Sequence, residues 1–145
     1  MLSEQVGRTS SPGEGSFAVP LADEGHISIS PVDDQGIVRL VGYGTWSIEY
    51  MNRHFRELDP IVAAARMRVR SVMVLADLRE APVQSPDVAE MINIGTRRLY
   101  RDGDRIAIVV QSSLVKLQMK RVVDCAQVQI FISVAAAYTW LMAYS

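Results

Sequence analysis

Six polar residues stand just past apolar runs or just ahead of helical patterns: Thr45, Asp77, Arg79, Ser85, Ser112 and Ser113. In a parallel sheet those are the places where unpaired helix N–H groups converge on a ligand. Together the six predict a rim that holds a small anion or a polar head group. Arg79 would be the charge partner and the hydroxyls and helix starts the donors. Tyr43, Gly44, Gln84 and Gln111 fall on the same rim. The competing reading is that Thr45, Ser85 and either Ser112 or Ser113 are plain N-caps, each contributing about 1 kcal/mol of stability. Asp77 and Arg79, two apart at a strand end, are expected on opposite sides, with Asp77 bonding nearby backbone rather than acting as a base.

No nucleophile–base pair emerges elsewhere. The chain has no Gly-x-Ser-x-Gly elbow, and Gly42-Tyr43-Gly44 lacks the third glycine of a dinucleotide loop, since position 47 is Ser47. His54, beside Phe55 on a charged helix, reads as solvated, and His26 opens an edge strand. With Cys125 the only cysteine and two histidines, neither a disulfide, a metal site nor a cofactor is expected. The chain therefore reads as non-enzymatic. Lys116, Lys120 and Arg121 form a basic helix face, suited to an acidic partner, a lipid head group or plain solvation. Met51, Met91 and Met119, expected to face the sheet, fit an adaptable apolar site as well as ordinary core filling.

The elements that position these residues follow from apolar runs. Ile37–Tyr43, Val72–Leu78 and Ile106–Val110 are too continuous for half-exposed strands, so both faces are buried beneath helices. His26–Ser30 alternates, as an edge strand does, and Asp33-Asp34-Gln35-Gly36 turns it into the next strand. Ile48, Met51, Phe55, Leu58, Val62, Ala65 and Val69 make one helical stripe, which Pro60 kinks or restarts. Ser85-Pro86 opens a second helix with Val88, Met91, Ile92, Gly95 and Leu99 inward, and a third runs to about Asp124. A strand over Gln127–Val134 and a short helix over Ala135–Tyr144 complete the order β-β-α-β-α-β-α-β-α. The fold class is α/β with a mixed, mostly parallel sheet assembled largely in sequence order.

The 145 residues carry a net charge of −1, which supplies no drive toward nucleic acid. Residues 1–35 hold one base, Arg8, against six acids, Glu4, Glu14, Asp23, Glu24, Asp33 and Asp34. Residues 1–24, with the turn-rich Ser10–Ser16, read as a flexible acidic leader, and 25–145 as one domain. The start lacks the basic and apolar parts of a signal peptide, which predicts a cytoplasmic protein. From Cys125 to Ser145 no charged residue occurs, yet Gln127, Gln129, Ser133 and Thr139 interrupt the run, so a strand and a helix are expected rather than a membrane span. That last helix is apolar all round. Tyr138, Trp140, Leu141 and Tyr144 are thus interface candidates for a homodimer or a protein partner.

The element order, Val74-Leu75-Ala76-Asp77-Leu78-Arg79 and Asp104-Arg105-Ile106-Ala107-Ile108-Val109-Val110 make the chain over about 26–145 resemble the SpoIIAA-like family, which includes the STAS domains of anti-anti-sigma factors. Ala137-Tyr138-Thr139-Trp140-Leu141 adds to the likeness. The resemblance implies a stand-alone binding or regulatory module. Ser85 sits where a phospho-acceptor serine stands in partner-switching members, but Gln84-Ser85-Pro86-Asp87 departs from their Asp-Ser-Ser-Gly-like turn. Two functions follow as expectations: interaction through a protein partner or self-association, or carriage of a small amphipathic ligand with its head group near Arg79.

Overall fold

A computed structural model describes residues 24–143. Apart from Glu24, the expected leader lies outside the described residues, as does Tyr144. The elements are β1 (His26–Ser30), β2 (Ile37–Tyr43), α1 (Ile48–Arg66), β3 (Met73–Glu80), α2 (Pro86–Leu99), β4 (Arg105–Val109), α3 (Ser113–Val122), β5 (Val128–Phe131) and α4 (Val134–Met142). The five strands lie in sequence order; β1 and β2 are antiparallel and the other pairs parallel. This is the expected α/β architecture.

The β1–β2 connection is built by Asp33. Its carboxylate accepts from the N–H groups of Gln35 at 2.9 Å and Ile37 at 3.0 Å and from Arg39 Nε at 3.1 Å. Gly36 supplies the positive φ of 84° that the turn requires. Each parallel crossover is then a helix on the same face. α1, α2 and α3 pack over Val38, Leu40, Val74, Ala76, Ile106, Ile108 and Ile130, forming the larger core. On the opposite face α4 alone covers Ile37, Met73, Leu75, Ala107 and Val109 with Ala137 and Leu141. The uncharged C-terminal run is therefore divided between an edge strand and a helix on the second face. Among the described residues no helix is long and apolar enough to cross a membrane.

Several boundaries differ from expectation. β5 ends at Phe131 and Ser133 caps α4, accepting from Ala136 N at 3.2 Å, so Ile132 is left half-exposed between them. α1 runs unbroken through Pro60, an exposed position where water can meet the freed carbonyl. α1 is capped by Ser47 rather than Thr45, because Trp46 turns inward and the first helical turn begins two residues later.

Four polar side chains hold the layers in place. Buried Asp104 accepts from Arg66 Nη1 at 3.0 Å, Arg66 Nη2 at 2.6 Å, Val72 N at 2.9 Å and Arg101 N at 2.8 Å. Burial would raise its pKa, but these bonds outweigh burial and hold it below the usual carboxylate range. Gln84 ties two loops, accepting from Trp46 N at 2.8 Å and donating to Gly44 O at 3.1 Å and Pro82 O at 2.9 Å. Asn93 on α2 donates to Val122 O and accepts from Asp124 N at 3.0 Å, holding the end of α3. Tyr50 on α1 accepts from Ile27 N at 2.7 Å, anchoring β1.

Candidate functional site

The residues of the expected rim do gather at the C-terminal ends of the parallel strands, but the sheet divides them. Side chains two apart on a strand share a face. Asp77 and Arg79 therefore lie together on the α4 side, not on opposite sides as expected. Arg79 Nε donates to Asp77 Oδ1 at 2.9 Å and Nη2 to Oδ2 at 2.7 Å, a bidentate pair. The Arg79 hydrogen bond is the main reason the Asp77 pKa is lowered, and Asp77 in turn raises that of Arg79. Asp77 also accepts from Arg79 N at 3.2 Å, the backbone bond anticipated for it. The pair lies in a shallow depression with Val41, Gly42, Glu80 and Gln111.

The serines lie on the other side. Ser85 caps α2, accepting from Val88 N at 3.4 Å, with Pro86 at the first helical position. Ser112 caps α3, accepting from Val115 N at 3.3 Å, and Ser113 is its exposed first residue. Thr45 is exposed and joins Glu24 and Gly25 through its backbone. Gln84 has both ends of its amide occupied by backbone. The six candidates thus make no single pocket.

A cavity of about 220 Å³ lies on the serine side, between the sheet, α2 and α3. Trp46, Leu78, Ile92, Ile108, Met119 and Val122 are among its lining residues. Trp46 is 5% exposed, and its ring rests against Gly42, where a Cβ would approach within 3.0 Å of Trp46 Cζ2 and 2.8 Å of Leu78 Cδ2. Gly42 is thus the close-approach glycine that admits the indole. Val83 and Val122 are exposed at 44% and 38%, so the cavity reaches the surface between the β3–α2 loop and α3. Met119 belongs to it as a thioether adaptable in shape. Arg79 does not: the cavity opens away from it. Trp46 was overlooked in the sequence; its signal is a large aromatic two residues after Gly42-Tyr43-Gly44.

The basic face and the interface candidates also separate. Lys120 and Arg121 are exposed on α3 and Lys116 half-buried, interleaved with Leu114 and Leu117 at 65% and 59% exposure. On α4, Leu141 is fully buried under the sheet and so is a core residue, a correction to its reading as an interface residue. Trp140 is half-buried against the Phe131 ring at 5.7 Å, with Arg105 6.0 Å from its centroid, and Tyr138 packs beside the same core.

His54 is buried at 6% exposure, contrary to the solvated reading; burial lowers its pKa to about 4 against an opposing effect of Glu57. Its ring meets that of Phe55 edge-on, with centroids 5.4 Å apart. Among the described residues no group of three or more His, Cys, Asp or Glu could hold a metal ion. No family model and no curated protein matches the chain.

Proposed function

We propose that the chain is a non-enzymatic, STAS-like binding module whose ligand is a small, mostly apolar molecule held between the sheet, α2 and α3. The observation that carries this reading is the 220 Å³ cavity lined by Trp46, Leu78, Ile92, Ile108, Met119 and Val122. An apolar space of about 150 Å³ holds benzene, so this one suits a body of about nine non-hydrogen atoms. Its mouth lies beside the exposed Ser85 cap and Val83, so any polar end leaves at that point and not at Arg79. Trp46 reports occupancy, because Trp140 lies on the opposite face of the sheet.

The test is a fluorescence titration of a Trp140→Phe protein with hexanol, octanol and octanoate. Saturable change in Trp46 emission is expected, abolished by Ala89→Leu, which places three carbons in the cavity. Emission that never saturates, or binding that Ala89→Leu leaves intact, would remove the cavity from function. A second reading, interaction with an acidic protein partner, rests on the exposed Leu114 and Leu117 among Lys116, Lys120 and Arg121. It is favoured if Leu117→Asp abolishes a stoichiometric complex while octanol binding persists.

A further inference from the structure

Between α1 and α2, toward the C-terminal ends of both helices, lies an open groove of about 800 Å³ that shares no lining residue with the apolar cavity. Its floor includes Phe55, Val62 and Leu99. Gly95 lets Phe55 lie flat there, since a Cβ at that position would stand 2.5 Å from the ring. Along its walls run Arg56, Arg66, Arg98 and Arg101, with Asp59 the one acid among the lining residues.

Arg66 is committed to Asp104 and to Leu99 O at 3.3 Å, and its side chain is 14% exposed. The other three are exposed, and their guanidinium groups make no hydrogen bond or ion pair with a described residue. Asp59 stands one turn from Arg56 yet does not pair with it. Arg98 lies in the last turn of α2 and Arg101 just beyond its extended C-cap Tyr100, and both line the groove. Arg97 and Arg98 both lie in the last turn of α2, where cations oppose its C-terminal dipole, but Arg97 pairs with Asp124 at 2.7 Å while the fork of Arg98 has no such partner. Three unspent planar forks therefore surround an apolar floor, in a concavity of the size small-molecule sites take.

We propose that this groove binds a small amphipathic phosphomonoester, with its apolar body on Phe55, Val62 and Leu99 and its phosphate held by Arg56, Arg98 and Arg101. A phosphate brings close to two negative charges and three acceptor oxygens, which match several arginine forks better than a single carboxylate does. Soluble phosphorylated metabolites and single-chain phospholipids share this chemistry.

Calorimetric titration of the full chain with hexyl phosphate, inorganic phosphate and hexanol tests the site. In the Ala89→Leu protein, whose apolar cavity no longer admits alkyl chains, hexyl phosphate should bind with one-to-one stoichiometry and at least about tenfold more tightly than either fragment, since it alone uses floor and forks together. Arg98→Glu combined with Arg101→Glu should weaken it by at least about tenfold, and Arg56→Gln, from the other helix, in the same direction. Lys120→Glu on α3 should leave it unchanged, and binding that persists with Ala89→Leu in the apolar cavity separates this site from the one proposed above. Co-sedimentation with phosphatidylcholine vesicles containing dodecyl phosphate assigns a lipid source; binding of hexyl phosphate without co-sedimentation assigns a soluble one. Circular dichroism melting confirms that each variant is folded. Equal affinity for inorganic and hexyl phosphate, equal weakening by Lys120→Glu, or no saturable heat from the folded protein would overturn the proposal.

Discussion

His54 shows how burial reassigns a residue. An imidazole with an ordinary pKa near 6.5 is held at about 4 because the folded protein withholds the water that stabilises its charged form. Between those values the unfolded chain binds a proton that the folded protein does not, so acid favours unfolding across that window. The stability tied to His54 is complete above pH 6.5 and declines by about 3 kcal/mol as pH falls to about 4. Urea denaturation from pH 7 to 4 should show this decline, and His54→Leu should flatten it. An unchanged slope in His54→Leu would contradict the assignment. Asp104 acts lower on the scale. Its folded pKa lies beneath the unfolded value of about 3.9, so its contribution is present above that value and is lost as pH falls through the folded one. The two residues thus leave separate signatures, one above pH 4 and one below.

At the scale of elements, α3 depends on a side chain from its neighbour. None of its residues is fully buried, and its C-terminus is held by Asn93, whose amide joins Val122 O and Asp124 N. Asn93→Leu leaves both backbone groups without that partner and should cost about 1–3 kcal/mol. Hydrogen exchange at Asp124 should quicken, and octanol should bind the cavity more weakly, because α3 forms one of its walls. Full retention of both would show that Val115 and Met119 anchor α3 by packing alone. The elements were legible in the sequence because their patterns differ so plainly: alternation in His26–Ser30, continuous Val, Leu and Ile in β3 and β4, and threefold and fourfold spacing in α1. Side-chain partners were less so. Asn93 and His54 sit beside the apolar positions of their helices, and only the packed neighbours decide that they are enclosed. Thr45 and Ser47 are equally good caps by type; the inward turn of Trp46 selects Ser47. Asp77 and Arg79 were placed on opposite sides although the strand continues to Glu80, and the period of two puts them together.

At the scale of the whole molecule, the sheet has unequal covers: three helices on one face and α4 alone on the other. The apolar character of α4, which suggested an interface, is spent largely inside the protomer. Ala137 and Leu141 are fully buried, and Trp140 has Phe131 and Arg105 for neighbours. What stays open on that face is the region beyond α4, where Val41 and Tyr43 are about half-exposed near the Asp77–Arg79 pair. The role of α4 is therefore testable by separating folding from assembly. Truncation after Ser133 uncovers Ile37, Met73, Leu75, Ala107 and Val109, five residues no more than 5% exposed, and should yield a chain that aggregates, since so large an apolar area has no other cover. Trp140→Ala is milder: it removes a half-buried ring and should lower stability by about 1–3 kcal/mol, below the range for a fully buried tryptophan. If α4 serves mainly as this cover, sedimentation equilibrium of Trp140→Ala will report the same mass as the parent protein at every concentration. A parent dimer that Trp140→Ala dissociates without loss of stability would instead make α4 the interface, and the core contacts of Leu141 would then be secondary to its association.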